Sequence, residues 1–217
     1  MVDNNKLGIQ YMQEGKYEEA AKVFNQAIED SPKDPIAYIN FGNLLSALGE
    51  NEKAIAFFNK AIELDEDNGA AYYSTGNLHY NNEKYVDAKN MFEIAMKKGL
   101  TNSDTYFMLG MSLLQLDQPK LALPYFQRAV ELNVDDAEAR FQYGLCLANE
   151  NLIDQAMEQF QQVIHLDPKH ADAFYNLGVA YAFKENGEQA LAMFNKACEI
   201  QPDHVLAAHG KKIIEQT

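Results

Sequence analysis

Apolar positions along this chain recur in two alternating helical phases. In the first, Asn4, Leu7, Gly8 and Tyr11 and their equivalents further on are spaced i, i+3, i+4, i+7, which is one face of an α-helix. Ala20, Val23, Phe24, Ala27 and Ile28 repeat the spacing, so a second helix follows a turn near residues 15–17. Gly15 and Gly49 stand where a helix wants a left-handed closing residue, and Asn151 tolerates the same conformation. Glu18 and Glu19 suit the positive start of the second helix. The pattern predicts helical hairpins.

The hairpin recurs at a fixed interval of thirty-four positions without insertion. Gly8, Gly42, Gly76, Gly110, Gly144 and Gly178 form one column, and Ala20, Ala54, Ala88, Ala122, Ala156 and Ala190 a second. Phe24, Phe58, Phe92, Phe126, Phe160 and Phe194 form a third; Ala27, Ala61, Ala95, Ala129, Val163 and Ala197 a fourth. With glycine near 7% of average sequence, six in six prescribed places have a chance probability on the order of one in ten million. Small residues at a crossing let two backbones approach closely, and the phenyl column fills the space between neighbouring hairpins.

These columns resemble the tetratricopeptide repeat, whose signature places small residues at the Gly8, Ala20 and Ala27 positions, aromatics nearby and proline at the end. The resemblance covers residues 1–204, and the last two repeats, including KENGEQALAMFNKACEIQPDH, are also similar to small free-standing bacterial members. It implies an all-α fold, a right-handed α–α superhelix of six hairpins plus a C-terminal capping helix. A single domain over 1–217 is expected, with repeats at 1–34, 35–68, 69–102, 103–136, 137–170 and 171–204 and the cap at 205–217. No hairpin buries its apolar face alone, so the ends need covering. Asp3, Asn4, Asn5 and Lys6 make the first helix polar, and Leu206, His209, Gly210 and Ile213 share a face suited to covering the last hairpin. Pro32, Pro168 and Pro202 fill the terminal column; Glu66, Leu100 and Val134 replace it, and those junctions are expected to turn less sharply. Pro124 is expected to kink its helix locally.

Composition narrows the partners. An apolar fraction of 47% and a charged fraction of 23% are those of a folded, water-soluble chain. The opening residues lack a secretory pattern, and no stretch approaches the ~18 apolar residues of a membrane span. Eighteen Lys and Arg against 32 Asp and Glu give a net charge of −14, which repels phosphate backbones and anionic lipid, so nucleic acid and membranes are not expected. Cys146 and Cys198 form neither a disulfide framework nor a zinc pattern, which fits a reducing cytoplasm. A repeat begins at once at Met1, so a longer parent protein is compatible with the sequence.

In the first helix of each hairpin, the Val2, Asn5, Ile9 and Met12 columns lie nearly opposite the core stripe, since each residue advances about 100°. In a stacked solenoid that face lines the concave surface. It carries Ile39, Tyr73, Phe107, Phe141 and Tyr175 in one column, Asn43, Asn77, Met111, Leu145 and Val179 in another, and Tyr80 in the Met12 column. Asn40 and Asn176 join Asn43 and Asn77 as groups able to bond a ligand's backbone; Asp104, Glu138 and Asp172 at the edge can receive Lys or Arg. Some members of the family grip a C-terminal carboxylate through Lys and Arg in these columns, and that set is missing here. Arg140 replaces an aromatic and is expected to pack its stem and snorkel its charge.

No phosphate loop, nucleophile elbow or H-E-x-x-H motif occurs, and His165, His170, His204 and His209 fall five apart in pairs, which keeps them off one helical face. No catalytic residue, metal or cofactor is expected. The reading is an adaptor that holds a peptide or helical segment of another protein, basic or apolar, in its groove. The rival is a structural scaffold that self-assembles into a homo-oligomer.

Overall fold

The computed structural model describes residues 3–216; Met1, Val2 and Thr217 lie outside them, and so does the expected groove-edge position at Val2. The described residues form thirteen α-helices and no strand. The first helices of successive hairpins are α1 (Asn4–Gln13), α3 (Pro35–Ala47), α5 (Gly69–Asn81), α7 (Ser103–Gln115), α9 (Ala137–Asn149) and α11 (Ala171–Phe183). Their partners are α2 (Tyr17–Asp30), α4 (Asn51–Leu64), α6 (Tyr85–Lys97), α8 (Pro119–Leu132), α10 (Ile153–Leu166) and α12 (Gly187–Ile200), and α13 (Val205–Glu215) closes the chain. The chain divides into two compact units between Leu116 and Asp117, with α7 in the first and α8 in the second. Within each unit the hairpins stack as an all-α helical repeat.

Helix starts explain the phase of the repeat. Asp34, Asn102 and Asp136 precede α3, α7 and α9 and accept backbone N–H groups of the first turn through their side chains. His170 and His204 do the same for α11 and α13 through Nδ1. The second helices of the first five hairpins have no side-chain cap. Their entry is fixed by the end of the preceding helix. Lys16 N–H donates to the Tyr11 carbonyl at 2.8 Å and Gly15 N–H to that of Met12 at 3.1 Å, with Gly15 at φ 72°. Gly49 and Asn151 take the left-handed conformation as expected, and so do Glu83 (φ 59°) and Glu185 (φ 58°), which bear the strain that glycine avoids.

The junctions at Glu66 and Val134 correct the expectation of looser turns. Asn68 N–H reaches the Asp65 carbonyl at 3.2 Å and Asp136 N–H that of Asn133 at 3.4 Å, the same turn that Ser31 and Asp34 make at the proline-bearing junction. Only the Leu100 junction differs, because Gly99 at φ 91° ends α6 one turn position earlier. Two of these turns are locked from above by tyrosines: Tyr38 Oη donates to the Pro32 carbonyl at 3.1 Å and Tyr72 Oη to that of Glu66 at 3.3 Å. Arg140 stands in the same column and makes the equivalent lock, its Nε donating to Val134 O at 2.8 Å and its Nη1 to Gln159 Oε1 at 3.1 Å. Helix α8 runs without interruption through Pro124.

The glycine and phenylalanine columns meet within each hairpin, so the ring sits at the crossing of its own two helices and not only between neighbouring hairpins as expected. A methyl group on Gly42 would lie 2.5 Å from the Phe58 ring, and one on Gly144 2.7 Å from that of Phe160. Both rings are buried. The structure adds a further small column that the sequence patterns do not single out: Ala37, Ala71, Thr105, Ala139, Ala173 and Ala207 are all fully buried. The last of these corrects the seating of α13. Ala207, Gly210 and Ile214 face the final hairpin, with Gly210 against the Phe194 ring, whereas Leu206 and Ile213 are 57% and 51% exposed.

Candidate functional site

Each unit presents the expected face of its odd-numbered helices, and the residues on it divide into those used by the fold and those left to solvent. The aromatic column is less remote from the core than its angular position suggests. Tyr73 packs on Phe92 with ring centroids 5.6 Å apart, Phe141 on Phe160 at 6.0 Å, and Tyr175 on Phe194 at 5.9 Å. Each ring therefore leans one edge on the buried phenyl of its own hairpin. Two members of the column are buried outright. Ile39 packs with Ala61 and Ala71, and Phe141 lies under the His170 ring at 4.5 Å, so neither offers a ligand appreciable surface.

In the first unit, α3, α5 and α7 bring together Asn40, Asn43, Tyr73, Asn77, Tyr80, Asp104, Phe107 and Met111, of which Asp104 is exposed and the rest half-buried. Asn40 is already engaged: its amide donates to Asn5 Oδ1 at 3.0 Å, and Asn5 donates to Asp34 at 3.3 Å, a polar ladder joining α1 to α3. Burial pushes the Tyr73 phenol above its usual range, opposed by its hydrogen bond with Asn77 and reinforced by the nearby Asp104 carboxylate. Burial likewise raises Tyr80, against the effect of a hydrogen bond with Gln115. Tyr73 and Asn77 thus hold each other, and so do Tyr80 and Gln115.

The second unit carries two clefts on this face. Between α9 and α11 lies a cleft of about 310 Å³ lined by Leu145, Ala148, Asn176, Val179 and Phe183 among others, with Phe160 at its floor. Between α11 and α13 lies a second, of about 210 Å³, lined by Tyr175, Val179, Ala182, Leu206, His209 and Ile213 over Phe194. Val179 contributes to both, and Phe183 is 62% exposed. The Asn176 amide donates to the Asp172 carbonyl of its own helix at 2.8 Å.

The charges on this face have one sign. Glu138 and Asp172 stand at its edge, both exposed, and the groove columns of α9, α11 and α13 hold no Lys or Arg. Glu138 accepts from Gln142 at 2.8 Å, and Asp172 accepts from His204 Nε2 at 3.1 Å. The chemistry on offer is two apolar hollows beside two positioned carboxylates. Among the described residues no group of three His, Cys, Asp or Glu side chains is arranged to hold a metal ion. No described helix is long and apolar enough to cross a membrane.

Leu145, Val179, Phe183, Leu206 and Ile213 line these two clefts; the sequence places Leu145 and Val179 in the Ile9 column of the concave face, whereas Phe183, Leu206 and Ile213 were not expected there. The signal for Leu206 and Ile213 was their place one full repeat after Asp172 and Val179, which puts them in the groove columns.

A recurring helical hairpin with glycine against phenylalanine at its crossings defines a helical-repeat protein. The chain belongs to the tetratricopeptide repeat family. The family's sequence profiles match residues 11–75, 107–163 and 171–204, and a further repeat profile matches 148–184. The fold superposes on the crystal structure of YrrB, a tetratricopeptide-repeat protein with an unusual peptide-binding site, with a TM-score of 0.81 and 57% identity over 88% of this chain and 99% of that one. In sequence it is 59% identical over 39 residues to the TPR repeat-containing protein YrrB of Bacillus subtilis (strain 168), a match spanning 18% of this chain and 19% of that protein. The crystal structure of MamA (24% identical, TM-score 0.71, covering 79% of this chain and 93% of that one) shares the solenoid fold. So does Pseudomonas aeruginosa pilF (19% identical, TM-score 0.84, covering 97% and 96%). Tetratricopeptide-repeat proteins generally mediate protein–protein interactions.

Proposed function

We propose that this chain is a non-catalytic adaptor that holds a peptide segment of another protein on the concave face of its second unit. The observation that carries the reading is the pair of apolar clefts flanking α11, with Glu138 and Asp172 beside them and no Lys or Arg on the same columns. Packed helices lie ~8–10 Å apart and alternate clefts are separated by one helix, while an extended peptide advances ~3.3 Å per residue. Side chains about three residues apart on an extended ligand therefore fill successive clefts, and a Lys or Arg between or beside them meets a carboxylate. The 57% identical YrrB structure, with its peptide-binding site, supports a peptide as the ligand class. In the first unit, Asn43, Tyr73, Asn77, Asp104, Phe107 and Met111 offer a polar and aromatic surface of the same kind.

Panning a random peptide library against the whole chain tests this. Enrichment of sequences pairing large apolar residues with Lys or Arg is the expected result, and its loss in a Val179→Ser, Phe183→Ser double variant locates the site. Both side chains are exposed, so the variant keeps its fold, which circular dichroism verifies. Acidic or featureless selections, or undiminished enrichment by the variant, would refute the reading. A chain whose mass by light scattering rises with concentration, and whose groove variant abolishes that rise, would favour the self-assembling scaffold instead.

A further inference from the structure

The last helix does more than close the stack. We infer that α13 is a wall of the binding groove, and that together with Asp172 it selects a segment in which a large apolar side chain adjoins a Lys or Arg. This rests on the groove reading above and names the ligand chemistry of one subsite.

The register of α13 sets its faces. Leu206, His209 and Ile213 lie one full repeat beyond Asp172, Tyr175 and Val179, so they occupy the groove columns of a seventh first-helix. A terminal helix needs a polar surface where the next partner helix would otherwise pack. Here that side carries Lys211, Lys212 and Glu215, in the columns of Leu7, Gly8 and Tyr11, with Lys211 Nζ 3.8 Å from Glu215. Solubility is thus provided on the side facing away from the stack. The groove side nevertheless keeps Leu206 at 57% exposure, above a cleft of about 210 Å³ whose opposite wall is Tyr175 and Val179.

Asp172 supplies the second half of the subsite. It lies one helical turn before Tyr175 on α11, and its side chain is 62% exposed while accepting from the buried His204. His204 Nδ1 accepts the Ala207 N–H at 3.2 Å, so the ring proton resides on Nε2 and is donated to Asp172. One histidine therefore caps α13 and holds the carboxylate beside the cleft it walls. Charge then selects the occupant: an anionic edge free of Lys and Arg, next to an apolar hollow, is complementary to a cationic residue flanking a large apolar one. A second copy of this chain, at net charge −14, is a poor match for that edge.

Fluorescence anisotropy with a labelled probe peptide, two phenylalanines three positions apart, each beside a lysine, in a glycine–serine context, measures the subsite on the full chain. Leu206→Ser is expected to weaken binding about fivefold or more. Val205→Ser, at the adjacent 77% exposed position outside the cleft, should leave it unchanged. Asp172→Asn should weaken the lysine probe and leave a glutamine-substituted probe unaffected. Wild-type affinity in Leu206→Ser, with binding lost in the Val179→Ser, Phe183→Ser variant, would overturn the role of α13 and leave the groove standing. If no variant lowers probe affinity, both fall. A wild-type dimer in sedimentation velocity that Leu206→Ser dissolves would make the occupant a second copy and overturn the proposal.

Discussion

Replacing Gly144 by alanine sets two effects of opposite sign against each other. In a helix interior alanine is favoured over glycine by about 1 kcal/mol. The added methyl carbon, however, would stand 2.7 Å from Phe160 Cε1, 3.0 Å from Cδ1 and 3.2 Å from Cζ, well inside ordinary van der Waals contact. The ring has little room to retreat: it is buried in a cluster with Leu147, Ala156, Val163, Ala173 and Leu177, and Phe141 leans on it beneath His170. Overpacking of this kind costs roughly 1–3 kcal/mol, so a net loss of about 1 kcal/mol is expected. With a urea slope of ~2 kcal/mol/M the midpoint falls by about 0.5 M. Phe160→Leu relieves the clash, so the double variant should be more stable than the two single losses add to, with a coupling of about 1 kcal/mol. A Gly144→Ala chain more stable than wild type, or strict additivity in the cycle, would show that close packing does not explain the glycine column.

Glu185→Gly relieves a left-handed strain at a turn, and urea melts should show a gain of about 0.5–1 kcal/mol. Arg140→Ala frees the Val134 carbonyl and should cost about 1–2 kcal/mol, most of it restored in Arg140→Tyr, which reproduces the lock made by Tyr38. Burial, with the Glu150 carboxylate adding to it, pushes the Cys146 thiol up from 9.0 to about 11. The unfolded chain ionises this thiol first, so its contribution is intact below pH 9 and is lost as pH rises toward 11. Stability measured against pH should then fall by up to about 2–3 kcal/mol more in wild type than in Cys146→Ala across that window.

The hairpins were legible because their determinants are local and repeated: a glycine opposite a phenylalanine leaves the same mark in every repeat. Arg140 shows the reverse. Its column holds tyrosine at positions 38, 72 and 106, and only the structure reveals that what Arg140 shares with Tyr38 and Tyr72 is a donor reaching the turn carbonyl rather than a ring. Glu83 and Glu185 in left-handed conformations were not predictable from their identity, since the turn geometry imposed by the neighbouring helices overrides their preference.

For the groove, angular position on a helix located the face but not the depth of each side chain. Ile39 and Phe141 share a column with Tyr73 and Tyr175, yet their burial depends on what lies above them, which for Phe141 is the His170 ring. Asn40 and Asn176 looked available as amides because sequence does not disclose bonds to Asn5 and to the Asp172 carbonyl. On α13 the packing face lies one position further along than the helical spacing of Leu206, Gly210 and Ile213 suggests. Ala207, one full repeat after Ala173, marks that packing side.

The central claim is that peptide binds on the face built by α9, α11 and α13. Backbone amide chemical shifts of the isotopically labelled chain, titrated with the lysine–phenylalanine probe peptide, test it most directly. The account predicts saturable shifts concentrated at Leu145, Asp172, Val179, Phe183 and Leu206, with α10 and α12 nearly silent on their outer sides. Shifts confined to those outer sides, or spread evenly over the chain without saturation, would contradict it.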